Sequence, residues 1–276
     1  MTIEQPLFSV IIPCFNQGSF ITDAVESVLN STYSNIEIII VDDGSDDQVT
    51  RIIIEKINHP QITKLIISNN GLANARNVGI LGSTGKYILP LDADDKISPT
   101  YIEKAVKILE EHLDVKLVIC DVQLFGADKG IKELPKFSME VLIGQNTMVC
   151  SSVFRRIDYN ATNGYNVNMK FGFEDWDFWL SLLGNGGEVY KLNEIHFYYR
   201  IKNKSMITGL GNDNEKLKYS RRMIYENHKE LYSQYFFDPT NSFEYSALKS
   251  SAEYRLGTIL LWPIRVFMRF INIIKA

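Results

Sequence analysis

Three carboxylates, Asp92, Asp94 and Asp95, stand directly after the apolar run 86–91. Like charges this close repel, so something positive must resolve the repulsion. A hard divalent cation with oxygen ligands is the simplest candidate. In an extended segment Asp92 and Asp94 point to the same side. One can then hold a metal while the other reaches a hydroxyl. The plain alternative is a solvated acidic turn, with Asp95 capping a helix. A second turn, Asp42-Asp43-Gly44-Ser45, opens a helical stripe. Asp43 or Ser45 suits its N-cap. That accounts for one acid, and the other could accept a hydrogen bond from a base N–H or a ribose hydroxyl. A third group, Glu174-Asp175-Trp176-Asp177, lies at a helix start, where the dipole favours acids. Flanking aromatics would exclude water and stack on a sugar face, with Asp175 as the carboxylate base. Arg76 lies among small residues that let a ligand or another backbone approach closely. It would pair with a diphosphate, or else bridge to an acid at the core edge.

Other chemistries are disfavoured. The stretch from Gly79 to Lys86 looks like a phosphate-binding loop, but its glycine spacing is one residue too long and Tyr87 follows the lysine. No GxGxxG follows the first apolar run. His196 has no histidine near it in sequence, so a multi-histidine metal site is excluded. Cys14, Cys120 and Cys150 are widely spaced, as in a reduced cytosolic protein. Cys14 and Cys120, at the ends of apolar runs, read as buried bystanders. With 29 basic and 33 acidic residues among 276, the net charge is −4. That argues against a dedicated nucleic-acid binder. The N-terminus carries no signal-peptide pattern. No run of eighteen or more apolar residues is present, so no membrane span is expected.

These groups need elements to position them. Apolar runs at 7–12, 36–41, 64–67, 86–91 and 115–120 read as strands. Stripes at helical spacing lie between them: Ile21 to Leu29, Val49 to Ile57, 72–81, and a helix opening at Ser98-Pro99. Such alternation predicts an α/β fold with a mainly parallel sheet covered on both faces. Ligands of these sheets bind beyond the carboxyl ends of the strands, where Phe15-Asn16, Asp42-Asp43 and Asp92 to Asp95 fall. Further on, strands are expected over 146–154, 188–192 and 195–200, and helices over 171–183 and 213–233.

Five segments in order resemble the signature of family 2 glycosyltransferases. They are Phe8 to Asn16, Val41 to Ser45, Asn70 to Asn77, Leu91 to Asp95, and Glu174-Asp175-Trp176. The resemblance spans about residues 7 to 206. It implies the Rossmann-like GT-A fold, with a catalytic domain over 1–212 and a C-terminal helical region over 213–276. The nucleotide-binding half would cover about 1–121 and the acceptor half about 122–212. It also implies a nucleotide-sugar donor, commonly a UDP-sugar, a divalent metal (Mn2+ or Mg2+), and inversion at the anomeric centre. By position, Pro13, Phe15 and Asn16 line the base and ribose site. Asp42, with Asp43 beside it, serves the nucleobase, Arg76 the nucleotide and Asp92 the ribose. Asp94 holds the metal as the DXD-type acid, and Asp175 is the general base. Glu174, Trp176 and Lys202 take acceptor or secondary roles. Lys202 stands where the family often has a histidine in Tyr-Arg-x-His. The Gln-x-x-Arg-Trp motif of processive synthases is missing, which favours transfer of one sugar.

The tail after Leu256 is apolar with regular basic residues. A helix from Pro263 would put Val266, Phe267, Phe270, Ile271 and Ile274 on one face and Arg265, Arg269 and Asn272 on another. Twelve such residues reach roughly 18 Å, too short for a bilayer. An interfacial helix fits, as does packing on the domain or a second subunit. The expectation is a cytoplasmic enzyme of polysaccharide biosynthesis, peripheral to the inner face of the cell membrane, with a glycan or lipid-linked acceptor. A nucleotidyltransferase of similar fold and a non-catalytic nucleotide-sugar-binding scaffold are the alternatives.

Overall fold

The computed structural model of the chain describes residues 5–202, 206–211, 213–236 and 242–274. Aliphatic and β-branched runs form the strands that are buried on both faces. β1 (Phe8–Cys14) is buried at every position. β2 (Ile36–Asp43) and β4 (Tyr87–Pro90) are almost as dry. β3 (Ile62–Ile67) alternates and forms the edge. Amphipathic helices α1 (Gly18–Leu29), α2 (Gln48–Lys56) and α3 (Leu72–Leu81) connect them. Then follow β5 (Lys96–Ile97), α4 (Tyr101–Glu111), β6 (Val115–Gly126), β7 (Gly130–Lys132), α5 (Met139–Gly144), β8 (Val153–Arg155) and α6 (Arg156–Asn160). The remainder is α7 (Glu174–Leu183), β9 (Glu188–Ile201), α8 (Met206–Gly211), α9 (Asn214–Asn227), α10 (Lys229–Tyr235), α11 (Phe243–Ser250) and α12 (Ala252–Ile274).

The strands form one sheet in the order β3-β2-β1-β4-β8-β6-β9-β5, with β7 on β6. β3, β2, β1 and β4 run parallel, as do β6 and β9. Three-residue β8 is antiparallel to both β4 and β6 and joins the two blocks. The register sets Cys14 opposite Asp42 and Pro90 opposite Ile11. The carboxyl ends of β1, β2 and β4 therefore lie side by side, and the acidic turns meet there as a mainly parallel sheet requires.

Several elements differ from the expected spans. The strand expected over 146–154 is reduced to β8, because Ser152 N–H and Oγ bond Cys150 and Val149 carbonyls in a turn. The helix expected from Ser98 starts at Tyr101, because the Ser98 hydroxyl lies 2.6 Å from His196 Nδ1 instead of capping. The two strands expected over 188–200 are one, β9, and bulges between Cys120 and Val122 of β6 absorb the irregularity. The helix expected over 213–233 breaks at His228.

The tail helix is longer than its proline suggested. α12 runs 23 residues with Pro263 inside it, roughly 34 Å at 1.5 Å per residue. Among the described residues no helix is both long and apolar enough to cross a membrane. Leu256, Ile259, Leu260, Trp262, Ile264 and Phe267 are exposed. The side chains of Arg265 and Arg269, and those from Phe270 onward, lie outside the described residues.

The loop that resembles a phosphate-binding loop has an internal occupant. The amides of Thr84 and Gly85 donate to Glu37 Oε1 at 2.6 and 2.8 Å. Gly79 serves packing. A Cβ there would lie 2.4 Å from Ile11 Cγ2 and 2.9 Å from Val41 Cγ2. Both obstacles are β-branched side chains with little rotamer freedom. Alanine gains up to about 1 kcal/mol of helix propensity, but overpacking costs typically about 1–3 kcal/mol. Gly79→Ala is therefore expected to lower stability by about 1–2 kcal/mol, read from its urea midpoint; a midpoint at or above wild type would show that α3 does not press on the sheet this closely.

Candidate functional site

The site begins at the strand ends. Pro13 is buried within β1, and Phe15 just beyond it is 42% exposed. Asn16 adopts φ 55°, a left-handed conformation that asparagine tolerates better than most residues. Its Nδ2 donates to Asp46 Oδ1 at 2.7 Å, and its Oδ1 accepts from Asp46 N and Asp47 N. Asn16 thus clasps the loop after β2, leaving Phe15 as the open surface. Asp42 accepts from Ser45 N at 2.9 Å. Asp43 accepts from Asn70 N and Gly71 N, both at 2.9 Å. Its two oxygens thus fix the entry to α3, an N-terminal capping role across strands.

Arg76 differs most from its expected role. It projects from α3 and is fully buried, and it makes the bridge to acids that was the alternative to pairing with a diphosphate. Its Nη2 lies 2.7 Å from Asp92 Oδ1 and its Nη1 2.5 Å from Glu174 Oε1. The guanidinium also lies over the Tyr165 ring, 5.4 Å from its centre. Arg76 therefore bridges the acid cluster after β4 and the acidic helix start of α7. Glu174, given an acceptor-side role on sequence grounds, is the buried partner of that bridge. Asn77 secures the same junction, accepting from Tyr159 Oη and Tyr165 N and donating to Tyr165 O.

The three acids after β4 have three different environments. Asp92 is partly open, bonded to Arg76 and to the Cys150 thiol at 3.3 Å. Asp94 Oδ2 lies 2.5 Å from Lys202 Nζ. Asp95 is buried, and its Oδ1 accepts from Arg200 N at 2.7 Å. Its Oδ2 has no hydrogen-bond partner among the described residues. Burial, then the Asp92 and Asp94 charges, push its carboxyl well above the usual range. Ligand atoms of Asp92, Asp95 and Cys150 lie within 4.8 Å of one another. The two hard carboxylates of this group suit a divalent cation, while Asp94, expected to hold the metal, lies outside the group and is paired with Lys202.

Asp175 stands half-buried in the first turn of α7. Its Oδ2 accepts from Asn146 Nδ2 at 3.0 Å and its Oδ1 from Trp176 N at 2.7 Å. Burial raises its pKa, with Arg76 pulling the other way. Burial likewise pushes Glu174 up to about 7. The chain enters α7 through Phe173 at φ 68°, a strained conformation for a bulky residue. The expected aromatic walls are not there. Trp176, Phe178 and Trp179 are buried in the core, and Trp176 Nε1 donates to Leu142 O at 2.6 Å. α7 is buried on nearly every side, so its aromatics face the core and not a ligand. His196 is buried, stacked on Tyr101 and bonded to Ser98. Cys14 and Cys120 are buried, as expected.

Sequence reasoning missed Cys150, Asn146, Gln17 and Arg200. Arg200 Nε donates to Asp94 O and its Nη2 to Asp23, while Gln17 Oε1 accepts from Lys202. Of the four, only Arg200 lies in a local pattern. Only the Tyr199-Arg200 segment carried a signal, and that drew attention to Lys202. Residues 203–205, which complete that segment, lie outside the described residues.

The sequence model of glycosyl transferase family 2 matches residues 9–179. The chain is 32% identical over 201 residues to WfaP of Escherichia coli, named a UDP-Glc:alpha-D-GlcNAc-diphosphoundecaprenol beta-1,3-glucosyltransferase; the match covers 71% of this chain and 77% of that protein. It is 29% identical over 218 residues to an uncharacterized glycosyltransferase of Rickettsia prowazekii, covering 74% of this chain and 65% of that protein. It is 30% identical over 184 residues to chondroitin synthase of Escherichia coli, covering 64% of this chain and 26% of that enzyme. The chain thus spans less than two thirds of the last two relatives. Residues 1–349 of TarS from S. aureus share the fold, with a TM-score of 0.65 at 20% identity over 90% of this chain and 77% of that one. The same TarS fragment in complex with UDP-GlcNAc gives 0.62 at 19% identity with the same coverage.

Removing one partner of a buried ion pair leaves an uncompensated charge, at about 3–5 kcal/mol. Arg76→Met is expected to lose about that much stability in urea unfolding, and adding Glu174→Gln should recover part of it. The pH dependence has a definite sign. With its pKa raised from 4.5 to about 7, Glu174 holds a proton in the folded state that the unfolded chain releases above pH 4.5. Its contribution to stability is therefore present below that value and declines as pH rises toward 7. Without Arg76 the decline steepens. A loss on Arg76→Met that is the same at pH 4.5 and pH 7 would contradict the bridge.

Proposed function

The chain belongs to glycosyl transferase family 2, and from that premise we propose that it moves one sugar from a nucleotide-sugar, of the UDP type, to a hydroxyl of a glycan or lipid-linked glycan. In this reading the anomeric centre is inverted and Asp175 is the general base. The observation that carries the reading is the Arg76 bridge. It ties the Asp92–Asp95 turn to the α7 start, so Asp175, which follows Glu174 directly, is held near the acid cluster.

In the proposed mechanism Phe15 offers its exposed ring to the nucleobase, and Asp42 borders that site. Asp92, partly open, accepts from a ribose hydroxyl. Asp94 would hold a divalent cation, Mn2+ or Mg2+, which acts when bound as a Lewis acid toward the diphosphate. Asn146 orients Asp175, whose raised pKa makes it a better proton acceptor for the incoming hydroxyl. Displacement with inversion sets the base on the face opposite the leaving diphosphate. The UDP-Glc donor in the name of WfaP and the UDP-GlcNAc bound to TarS support the donor class.

We further read residues 1–212 as the catalytic domain and 213–276 as a helical region whose α9 and α10 pack on that domain and whose α12 rests on the cytoplasmic membrane surface. The exposed apolar residues of α12 support that contact. Protein ending at Ser251 is then expected to stop co-sedimenting with anionic vesicles that retain the full chain. Equal retention of both would remove α12 from the reading.

The base assignment has a direct test. Asp175→Asn is expected to lower kcat by about 10²–10⁴-fold while nucleotide binding persists. Binding is read by thermal shift with UDP, GDP and dTDP, each with Mn2+. Ligand at 100 times its dissociation constant adds roughly 2.7 kcal/mol of stability. In the wild type, kcat/KM should fall on the acid side with a midpoint above the ordinary aspartate value, since a base works only when deprotonated. Full turnover by Asp175→Asn would sink the assignment.

A further inference from the structure

Lys202 follows β9 directly and reaches back across the sheet end. Its Nζ lies 2.5 Å from Asp94 Oδ2 and 3.2 Å from Gln17 Oε1. The ammonium also sits 5.4 Å from the centre of the Phe20 ring. Both charged side chains are largely enclosed, at 20% and 17% exposure. Two cations therefore balance the acid cluster from within: Arg76 on Asp92 and Lys202 on Asp94. The guanidinium is buried, held on its far side by Glu174. The lysine has a flexible stem and a single carboxylate partner among the described contacts.

A divalent cation binding to Asp94 meets that ammonium. It must displace the lysine or tolerate a like charge at close range, and either weakens binding. A diphosphate changes the balance, because its oxygens give the ammonium a new acceptor. We propose that Lys202 makes metal binding at Asp94 conditional on the diphosphate: the lysine neutralises Asp94 in the empty site and transfers to the diphosphate when metal and nucleotide bind together. This rests on the metal-assisted reading above and adds to it a coupling between two ligands. Such coupling is reciprocal, since each ligand must tighten the other by the same factor. It also keeps the cluster from filling with a cation when no donor is present.

The test is an EPR titration of free Mn2+ against the full chain, with and without UDP as the diphosphate probe. Wild type, Lys202→Gln and Lys202→Arg are compared, and a melting curve for each verifies folding. Lys202→Gln is expected to bind Mn2+ alone about tenfold more tightly than wild type. UDP should then tighten Mn2+ binding by a factor about tenfold smaller in Lys202→Gln than in wild type. Lys202→Arg, which keeps the charge, should retain most of the wild-type coupling. Mn2+ bound by both wild type and Lys202→Gln with equal coupling to UDP overturns the role of Lys202 and leaves the metal reading standing. No Mn2+ bound by any of the proteins, with or without UDP, overturns both.

Discussion

One guanidinium holds the two halves of the site in register. Arg76 is fully buried between Asp92 and Glu174, and a charge so placed is tolerable only with well-made partners. Its geometry therefore constrains three elements at once: α3, which carries it, the turn after β4, and the first turn of α7. Ala73, Ala75 and Gly79 let α3 sit close enough to the sheet for the guanidinium to reach both acids. Tyr165 and Asn77 fill in around the same point. Asp175 follows Glu174 directly, so its position is set by the bridge before any substrate arrives. In the proposed role of base, Asp175 would be preorganised by its neighbours.

The acids at the sheet end illustrate how environment separates chemically identical groups. Asp92 shares a buried cation, Asp94 a largely enclosed one, and Asp95 is left to burial, which favours its protonated form. Asp43 bonds two backbone amides and behaves as part of the scaffold. Hence the surplus of acids at the strand ends is divided between those that shape loops and those that remain open to a ligand.

Local periodicity and turn chemistry made the first half legible. The apolar runs and helical stripes up to residue 120 map onto β1 to β4 and β6, and the helices between them, with small shifts at the ends; two-residue β5 carried no pattern. The acids fall at strand ends because a parallel sheet leaves them nowhere else. What escaped was decided by contacts between distant residues. Arg76 reads equally as a ligand-binding or a bridging residue until Glu174, 98 positions away, is placed beside it. Trp176 reads as a wall until its face is seen to point inward. β8 is three residues long and owes its pairing to β4 and β6 on either side, so no period reveals it. In α12, Pro263 read as a start because proline usually begins helices; the turn N-terminal to it is helical as well.

Asp177 lies fully buried in α7, and its partners come from elsewhere: Asn166 before the helix, and Asn227 and His228 at the end of α9. The carboxylate inside α7 thus draws two of its three described polar partners from beyond position 212. α9 packs into the same core through Ile224. The C-terminal segment supplies, in place of water, the polar shell that lets an acid exist in the middle of this core.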